Sequence, residues 1–364
     1  MNIGTIIIRW YSKNKRDLPW RETRNPYLIW LSEIILQQTR IEQGLSYYLR
    51  FAEKYPDIKS LARAKEDDVL KLWQGLGYYS RARNMHKTAK RIVNEFSGIF
   101  PSDHSTILSL NGIGDYTAAA IASFAFDQKY PVVDGNVFRF LSRLFEIKTP
   151  IDTSAGKKEF TELAGQLIKN FPPATFNQAI MEFGARVCRP ANPDCLNCPL
   201  NASCFSFKNK TVFSFPVKKN TTKTKKRFFN YLFIRNKDTF LIRKRKEKDI
   251  WQGLYDFPLI ESKESIAENF FFDSVEWKKT FRGKKVKLHS ISAEFKHILS
   301  HQHIHAKFYE ISADLSLFKE PNPEWKKVTD HSINKYALPR LIEIYLENRI
   351  GYKGINQKSG KKEA

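Results

Sequence analysis

Leu108-Ser109-Leu110-Asn111-Gly112-Ile113-Gly114-Asp115-Tyr116-Thr117, followed by Ala118-Ala119-Ala120-Ile121, is the stretch on which the fold turns. Gly112 and Gly114 bracket one apolar residue, so the chain can turn tightly and leave backbone amides exposed. A helix rich in small residues then covers Thr117–Ala125. Amides at such a turn, facing the positive end of a helix, make a site for a phosphate. Asp134 follows, flanked by the turn pair Gly135-Asn136 and a second helix predicted over Val137–Phe145. An Asp before a helix is ordinarily an N-cap, and a Gly-x-Gly turn alone is not specific. The rest of the chain gives the pair its weight.

The 364 residues carry a formal charge of +23, and 42% of them are apolar. That length predicts two or three domains. A charge of that size repels the compact state and points to a polyanionic partner, with nucleic acid ahead of an anionic membrane surface. No apolar run approaches the roughly 18 residues that span a bilayer. Ile6-Ile7-Ile8 is too short for a signal-peptide core. The expectation is a cytoplasmic protein, nucleoid-associated in a bacterium, without a membrane partner and acting as a monomer.

Residues 1–212 read as helical, with one helix opened by Pro26 and spanning Tyr27–Gln43. Within it, Tyr27–Leu36 is apolar nearly all round and therefore buried. Glu33 sits in its middle, and its helical neighbours Trp30, Ile29, Leu36 and Gln37 include no base. A carboxyl group there loses water and tends to stay protonated, which suits a general acid. The alternative is an ion pair with an Arg from another helix. Asp134, beside a helix N-terminus, is expected to stay ionised. One neutral and one charged carboxyl group is the pattern for cleaving a glycosidic bond. Asn136 is placed to orient Glu33 or a water.

All four cysteines, Cys188, Cys195, Cys198 and Cys204, fall in a Cys-x6-Cys-x2-Cys-x5-Cys run. Their clustering argues for a metal rather than disulfides. Structural zinc sites of four cysteines generally use two Cys-x2-Cys pairs, and only one is present, so a [4Fe–4S] cluster is favoured over zinc. Arg186, Arg189, Lys208 and Lys210 lie around it, which assigns the cluster the role of bracing a basic loop.

Together these residues resemble the endonuclease III superfamily of helix-hairpin-helix DNA glycosylases. Pro19-Trp20-Arg21, Ser32 to Thr39, Gly75-Leu76-Gly77-Tyr78-Tyr79-Ser80-Arg81-Ala82-Arg83 and Val133 to Asn136 are similar to the adenine DNA glycosylases, the MutY family. The resemblance implies double-stranded DNA as partner, with adenine opposite 8-oxoguanine or guanine flipped out of the stack. It implies that Glu33 protonates N7 of adenine and that Asp134 stabilises the C1′ cation, with Tyr116 and Asn136 assisting. Tyr116 stands where related lyases carry a Lys. A phenol cannot form a Schiff base, so a monofunctional enzyme is expected rather than a pyrimidine glycosylase/lyase. The other class of reading is a non-catalytic iron–sulfur scaffold on DNA. By the same resemblance Gln38 and Tyr78 wedge into the duplex, and Arg21, Thr39, Leu76, Arg81, Arg83, Gly112 and Gly114 contact DNA. On residue type alone, the favoured reading makes Leu76 and Tyr78 core and Gln38 a surface helix residue, and Arg81 and Arg83 could be a solvated face. Asn111 stands where the family commonly has Pro.

The fold class expected is a mainly α glycosylase part with a cluster loop, plus an α+β Nudix-like C-terminal domain. The boundaries are 1–212, a basic linker at 213–227, a lesion-recognition domain at 228–348 and a disordered tail at 349–364. Short aromatic, β-branched runs at Phe228–Ile234, Thr239–Arg243, Lys285–Ile291 and Ala306–Ile311 predict strands, and Glu261–Asn269 and Leu338–Asn348 helices. The acids Glu261, Glu264 and Glu268 lack the Arg-Glu-x-x-Glu-Glu run of a hydrolytic Nudix site, which leaves a binding module. Leu299-Ser300-His301 falls where the family has Phe-Ser-His, which assigns Ser300 and His301 to lesion inspection. His297, His301, His303 and His305 would share a face of an unbroken strand.

Overall fold

The computed structural model describes residues 2–219, 224–266, 271–318 and 325–353. The chain forms two units. One comprises residues 1–63 and 84–221, the other residues 64–83 and 222–364.

The first unit is helical. It holds α1 (Ile3–Asn14), α2 (Pro26–Leu36), α3 (Ile41–Lys54) and α4 (Ile58–Arg63). The next helix, α5 (Glu66–Trp73), belongs to the second unit. The chain returns through α6 (Ser80–Glu95), whose first turn lies in the second unit and the rest in the first. Next come α7 (His104–Leu108), α8 (Asp115–Phe126), α9 (Gly135–Phe145), α10 (Ser154–Ile168), α11 (Pro173–Arg186) and the short α12 (Phe205–Lys208). One core gathers Ile7 and Tyr11 of α1 with apolar side chains of α9, α10 and α11, among them Phe140, Phe160 and Phe183.

The predicted helix over Tyr27–Gln43 breaks in two. The Asn25 side chain caps its start by accepting from Tyr27 N at 3.0 Å, with Pro26 at the first position. It ends at Leu36 because Gln38 takes φ +54° and Thr39 N donates back to Leu36 O at 3.1 Å. No Gly or Pro marks that break in the sequence.

The α7–turn–α8 element is the hairpin read from the sequence. Asp103 caps α7, accepting from Thr106 N at 2.8 Å. Gly112 has φ +76°, and a Cβ there would also lie 2.7 Å from Asn84 Cβ, so this position needs glycine twice over. Gly114 is extended and exposed, and beyond its two chain neighbours nothing lies within 4 Å of where its Cβ would stand. A ligand can therefore approach this side of the turn closely.

The second unit contains an eight-stranded sheet among the described residues. The strands are β1 (Lys225–Asn236), β2 (Thr239–Lys244), β3 (Tyr255–Asp256), β4 (Leu259–Ser262), β5 (Val286–Ile291), β6 (Phe295–Ile298), β7 (Gln302–Ala313) and β8 (Trp325–Thr329). The path β3-β2-β1-β7-β5 is extended by β4 on β1, β6 on β7 and β8 on β2. The β1–β7 pair is parallel, from Lys225 opposite Gln302 to Arg235 opposite Ser312. Helices α13 (Val275–Phe281) and α14 (Arg340–Ile350) complete it. Alternation sends Phe229, Tyr231, Phe233, Ile304, Ala306 and Phe308 into one core with Leu341, Ile342 and Tyr345 of α14. Leu232, Ile234, Tyr309 and Ile311 enter a second core with Phe281.

Several local expectations are corrected. Lys225, Lys226 and Arg227 are strand rather than linker. Arg227 is buried because its guanidinium is paired with both Asp249 and Glu261 at 2.7 Å. Residues 213–219 are also fastened down. Phe215 is buried, Ile151 N donates to Val217 O at 3.0 Å, and Lys219 N to Asp152 at 2.9 Å. Residues 220–223 of the expected linker lie outside the described residues. Glu261 is on β4, paired with β1, so the helix expected over Glu261–Asn269 does not begin there. Glu268 lies outside the described residues. The tail expected from 349 is ordered further, since α14 reaches Ile350 and Tyr352 is buried. Residues 354–364 lie outside the description.

Candidate active site

Both candidate carboxyl groups line one cavity of about 180 Å³ in the helical unit, together with Tyr116, Asn136, Arg16, Arg21, Trp20, Thr39 and Glu182. Glu33 is 7% exposed on the inward face of α2. Burial pushes its carboxyl up to about 7. The Tyr116 hydroxyl, which hydrogen-bonds it, and the charge of Arg21 pull the other way, and the charge of Asp134 adds to the rise. Tyr116 is itself held neutral, its phenol pushed far up by burial and by the two carboxylates.

Asp134 caps α9. Its Oδ1 accepts from Asn136 N at 2.9 Å and Val137 N at 2.8 Å, and its Oδ2 accepts from Asn136 Nδ2 at 2.7 Å. Burial raises its pKa, against the pull of those donors and of Arg139. The helix N-terminus alone would lower it, so burial wins over the cap. The two acids remain unequal: three N–H groups converge on Asp134, and the Tyr116 hydroxyl meets Glu33. Asn136 binds Asp134 here rather than Glu33. Its Oδ1 accepts from Arg139 Nη2 at 2.9 Å, and Arg139 also donates to Gly184 O and Cys188 O, each at 2.7 Å. A Cβ on Gly184 would sit 2.7 Å from Asn136 O, so α11 can meet the start of α9 only through glycine.

Sequence reasoning missed Glu182. It is 1% exposed on α11, bound by Arg16 through Nε at 2.8 Å and Nη2 at 2.7 Å, and by Arg21 Nη2 at 2.7 Å. Burial would raise its pKa, but the two arginines outweigh burial and hold it at about 2. A Glu in the middle of an apolar helical pattern was the available signal, as it was for Glu33. Arg21, expected on DNA, binds Glu182 and Arg16 O on the cavity wall. Gln38 is exposed, at the left-handed turn that ends α2, and Thr39 reaches the cavity wall.

In the second unit, Tyr78 is 46% exposed with φ +46°. The other residues of its segment expected on DNA hold positions within the fold. Leu76 is buried. Arg81 is buried as well, because its guanidinium turns inward over Trp73 and donates to Gly77 O at 3.3 Å; desolvation lowers it to about 10. Arg83 donates to Gln252 O at 2.5 Å. Ser300 and His301 are exposed in the β6–β7 turn, closed by Leu299 N to Gln302 O at 2.8 Å, while Leu299 packs on the core. That turn breaks the strand the four histidines needed to share a face. His297 meets Trp251, and His305 pairs with Glu294 at 2.7 Å.

Among the described residues, no group of three or more His, Cys, Asp or Glu is drawn close enough to hold a single ion. The four cysteines, all half-buried and free of disulfides, instead line one cavity walled by Phe140, Leu144, Phe183, Leu200 and Val212. Burial and their mutual repulsion as thiolates push Cys195, Cys198 and Cys204 up, Cys198 to about 11. Arg143 lies beneath. Its Nη1 is 3.6 Å from Cys188 Sγ, and it donates to Val212, Phe215, Arg189 and Pro190 carbonyls. Thiols that are costly to ionise alone, arranged around an apolar cavity above a cation, fit an anionic metal–sulfur group.

Residues 31–166 match the family of HhH-GPD superfamily base excision DNA repair proteins, and residues 230–348 a NUDIX domain. The chain is 36% identical over 315 residues to the adenine DNA glycosylase of Buchnera aphidicola subsp. Schizaphis graminum, covering 86% of this chain and 88% of that one. It is 42% identical over 207 residues to the adenine DNA glycosylase of Homo sapiens, covering 54% of this chain and 38% of that one. A thermostable thymine-DNA glycosylase of solved structure aligns with a TM-score of 0.53 and 29% identity, over 57% of this chain and 95% of that one.

Proposed function

The chain belongs to the adenine DNA glycosylases of base excision repair, and from that premise we propose that it excises adenine opposite 8-oxoguanine or guanine without cutting the strand. The observation that carries the reading is the placement of Glu33 and Asp134 in one cavity with unequal partners.

The base must leave the stack to reach that cavity. Glu33, held near 7, carries a proton at neutral pH for a substantial fraction of molecules and passes it to N7 of the flipped adenine. Tyr116 keeps the acid aimed. As the C1′–N9 bond breaks, electrons leave with the base and positive charge grows on the sugar, where the Asp134 carboxylate faces it. Asn136 and Arg139 keep that carboxylate in place. Water adds to C1′, giving up a proton to the Glu33 carboxylate left by the first step, and leaves an abasic site. Glu182, charged and fixed by two arginines, is a fitting acceptor for the amine hydrogens of adenine. No lysine lines the cavity among the described residues, which supports hydrolysis over amine attack.

Cys188, Cys195, Cys198 and Cys204 would hold a [4Fe–4S] cluster, which braces their loop when bound. The charge of +23, the exposed hairpin glycines Gly112 and Gly114 and the exposed Gln38, Tyr78, Ser300 and His301 support duplex DNA as the partner.

The test is single-turnover cleavage of a duplex bearing adenine opposite 8-oxoguanine, with guanine in parallel, with and without alkali. Adenine release that needs alkali for strand scission, with no borohydride-trapped adduct, is expected. Intact adenine in cluster-loaded protein overturns the reading, and trapping on an oxidised pyrimidine would replace it with the lyase.

A further inference from the structure

The exposed Tyr78 sits on the loop between α5 and α6. Gly75 has φ +98°, Gly77 +74° and Tyr78 +46°, so three of four consecutive residues take left-handed backbone. For Tyr78, whose side chain resists that region, the conformation costs energy and persists only where the surroundings impose it. Inside the loop, Trp73 Nε1 donates to Gly77 O at 3.0 Å, Gly75 N to the Tyr79 hydroxyl at 3.2 Å, and Arg81 to Gly77 O.

What holds the two ends of the loop comes from far along the chain. At one end Gln74, 1% exposed, terminates α5. Its Nε2 donates to Glu343 Oε1 on α14 at 2.5 Å, and its Oε1 accepts from Lys71 Nζ at 2.9 Å and from Leu338 N at 3.3 Å. Lys71 donates onward to Tyr336 O at 2.9 Å. At the other end Arg83 donates to Gln252 O. Gly253, at φ +86°, lies so close to α5 that a Cβ would stand 2.8 Å from Leu70 Cδ1. Asp67 takes the Tyr255 hydroxyl at 2.9 Å and an ion pair from Lys244. Residues 64–83 thus form part of the C-terminal unit.

Glu343 is the central element of this arrangement. It is 4% exposed, with Arg340 at 3.8 Å as its nearest cation. A carboxylate buried at that depth costs stability unless it is used as a hydrogen-bond acceptor. Here it fixes the side chain of the residue directly before the loop.

We infer that Glu343 is a positioning residue for the Tyr78 loop, holding Gln74 so that the C-terminal unit presents the Tyr78 ring to the duplex. The inference rests on the proposed wedge role of Tyr78. Glu343 touches no substrate and acts through Gln74.

The test uses the full-length, cluster-loaded protein and a duplex with 2-aminopurine next to the adenine–8-oxoguanine pair, whose fluorescence rises as the stack opens. Glu343→Leu and Gln74→Met are each expected to lower both the fluorescence gain and the single-turnover rate by roughly 10- to 100-fold. Affinity for undamaged duplex should be unchanged. Glu343→Gln, which keeps an acceptor for Gln74, should retain both to within about twofold. In a Tyr78→Ala background neither substitution should add a further loss, because groups acting through one element are not additive. Additive losses, or a normal fluorescence gain in two folded variants, overturn the inference while leaving the wedge intact. A full signal in Tyr78→Ala itself overturns the wedge role and the inference with it. Thermal melting identifies a variant that has lost its fold, and the other substitution on the same bond then decides.

Discussion

The Tyr116 hydroxyl is hydrogen-bonded to the Glu33 carboxyl within a cavity that Asp134 also lines. A residue of the hairpin's second helix thereby aims an acid held on α2. The excision rate should accordingly fall as pH rises through about 7, because the protonated form of Glu33 is the reactive one and its pKa lies there. A single-turnover profile that stays flat from pH 6 to 8 would remove Glu33 as the acid.

Glu33→Gln should bind lesion duplex as the parent does but excise roughly 10²- to 10⁴-fold more slowly. It should also be more stable at high pH. With the folded pKa near 7 and the ordinary value 4.5, the folded state holds the extra proton, so the parent loses stability as pH rises through that window. The whole window is worth at most about 3 kcal/mol. Urea unfolding of both proteins at pH 4 and pH 8 measures it, and most of the gap should open between the two.

Asp134→Asn keeps an oxygen for the amides of Asn136 and Val137, so α9 should remain capped. It removes the charge and sets one amide nitrogen against Asn136 Nδ2. Excision should drop by about 10²-fold or more with little change in melting temperature. A large melting shift would mean that the residue serves mainly as a cap.

Glu182→Gln leaves Arg16 and Arg21 without their shared carboxylate. Breaking so buried a set should cost roughly 3 kcal/mol in chemical denaturation at neutral pH. The parent's advantage is present above the ordinary carboxylate pKa and is lost as pH falls toward about 2, where Glu182 protonates in the folded state. The two proteins should converge at the acid end.

Arg143→Ala removes the donor to four loop carbonyls and the cation beside Cys188. Iron and acid-labile sulfide per purified chain should fall severalfold while the helical circular dichroism is kept. Full cluster loading would show that the cysteines organise the loop without it.

Much of the local structure follows from residue types at short spacing. The hairpin, the apolar helix around Glu33, the cap at Asp134 and the clustered cysteines each depend on neighbours within a few positions, and they are legible for that reason. The break at Gln38 was not, because a left-handed Gln is imposed by the packing around it rather than by its own preference.

Sequence alone thus determined which groups could do chemistry: a carboxyl on an apolar helix, a second at a helix start, thiols on one loop. The tertiary structure decided which groups meet and which basic residues remain available. Arg21 goes to Glu182, Arg81 turns inward, and Asn136 serves Asp134. It also joined Gln74 to Glu343 across most of the chain. A side chain's charge is written in its identity, but its partner and its pKa depend on what the fold packs against it and on how much water it loses.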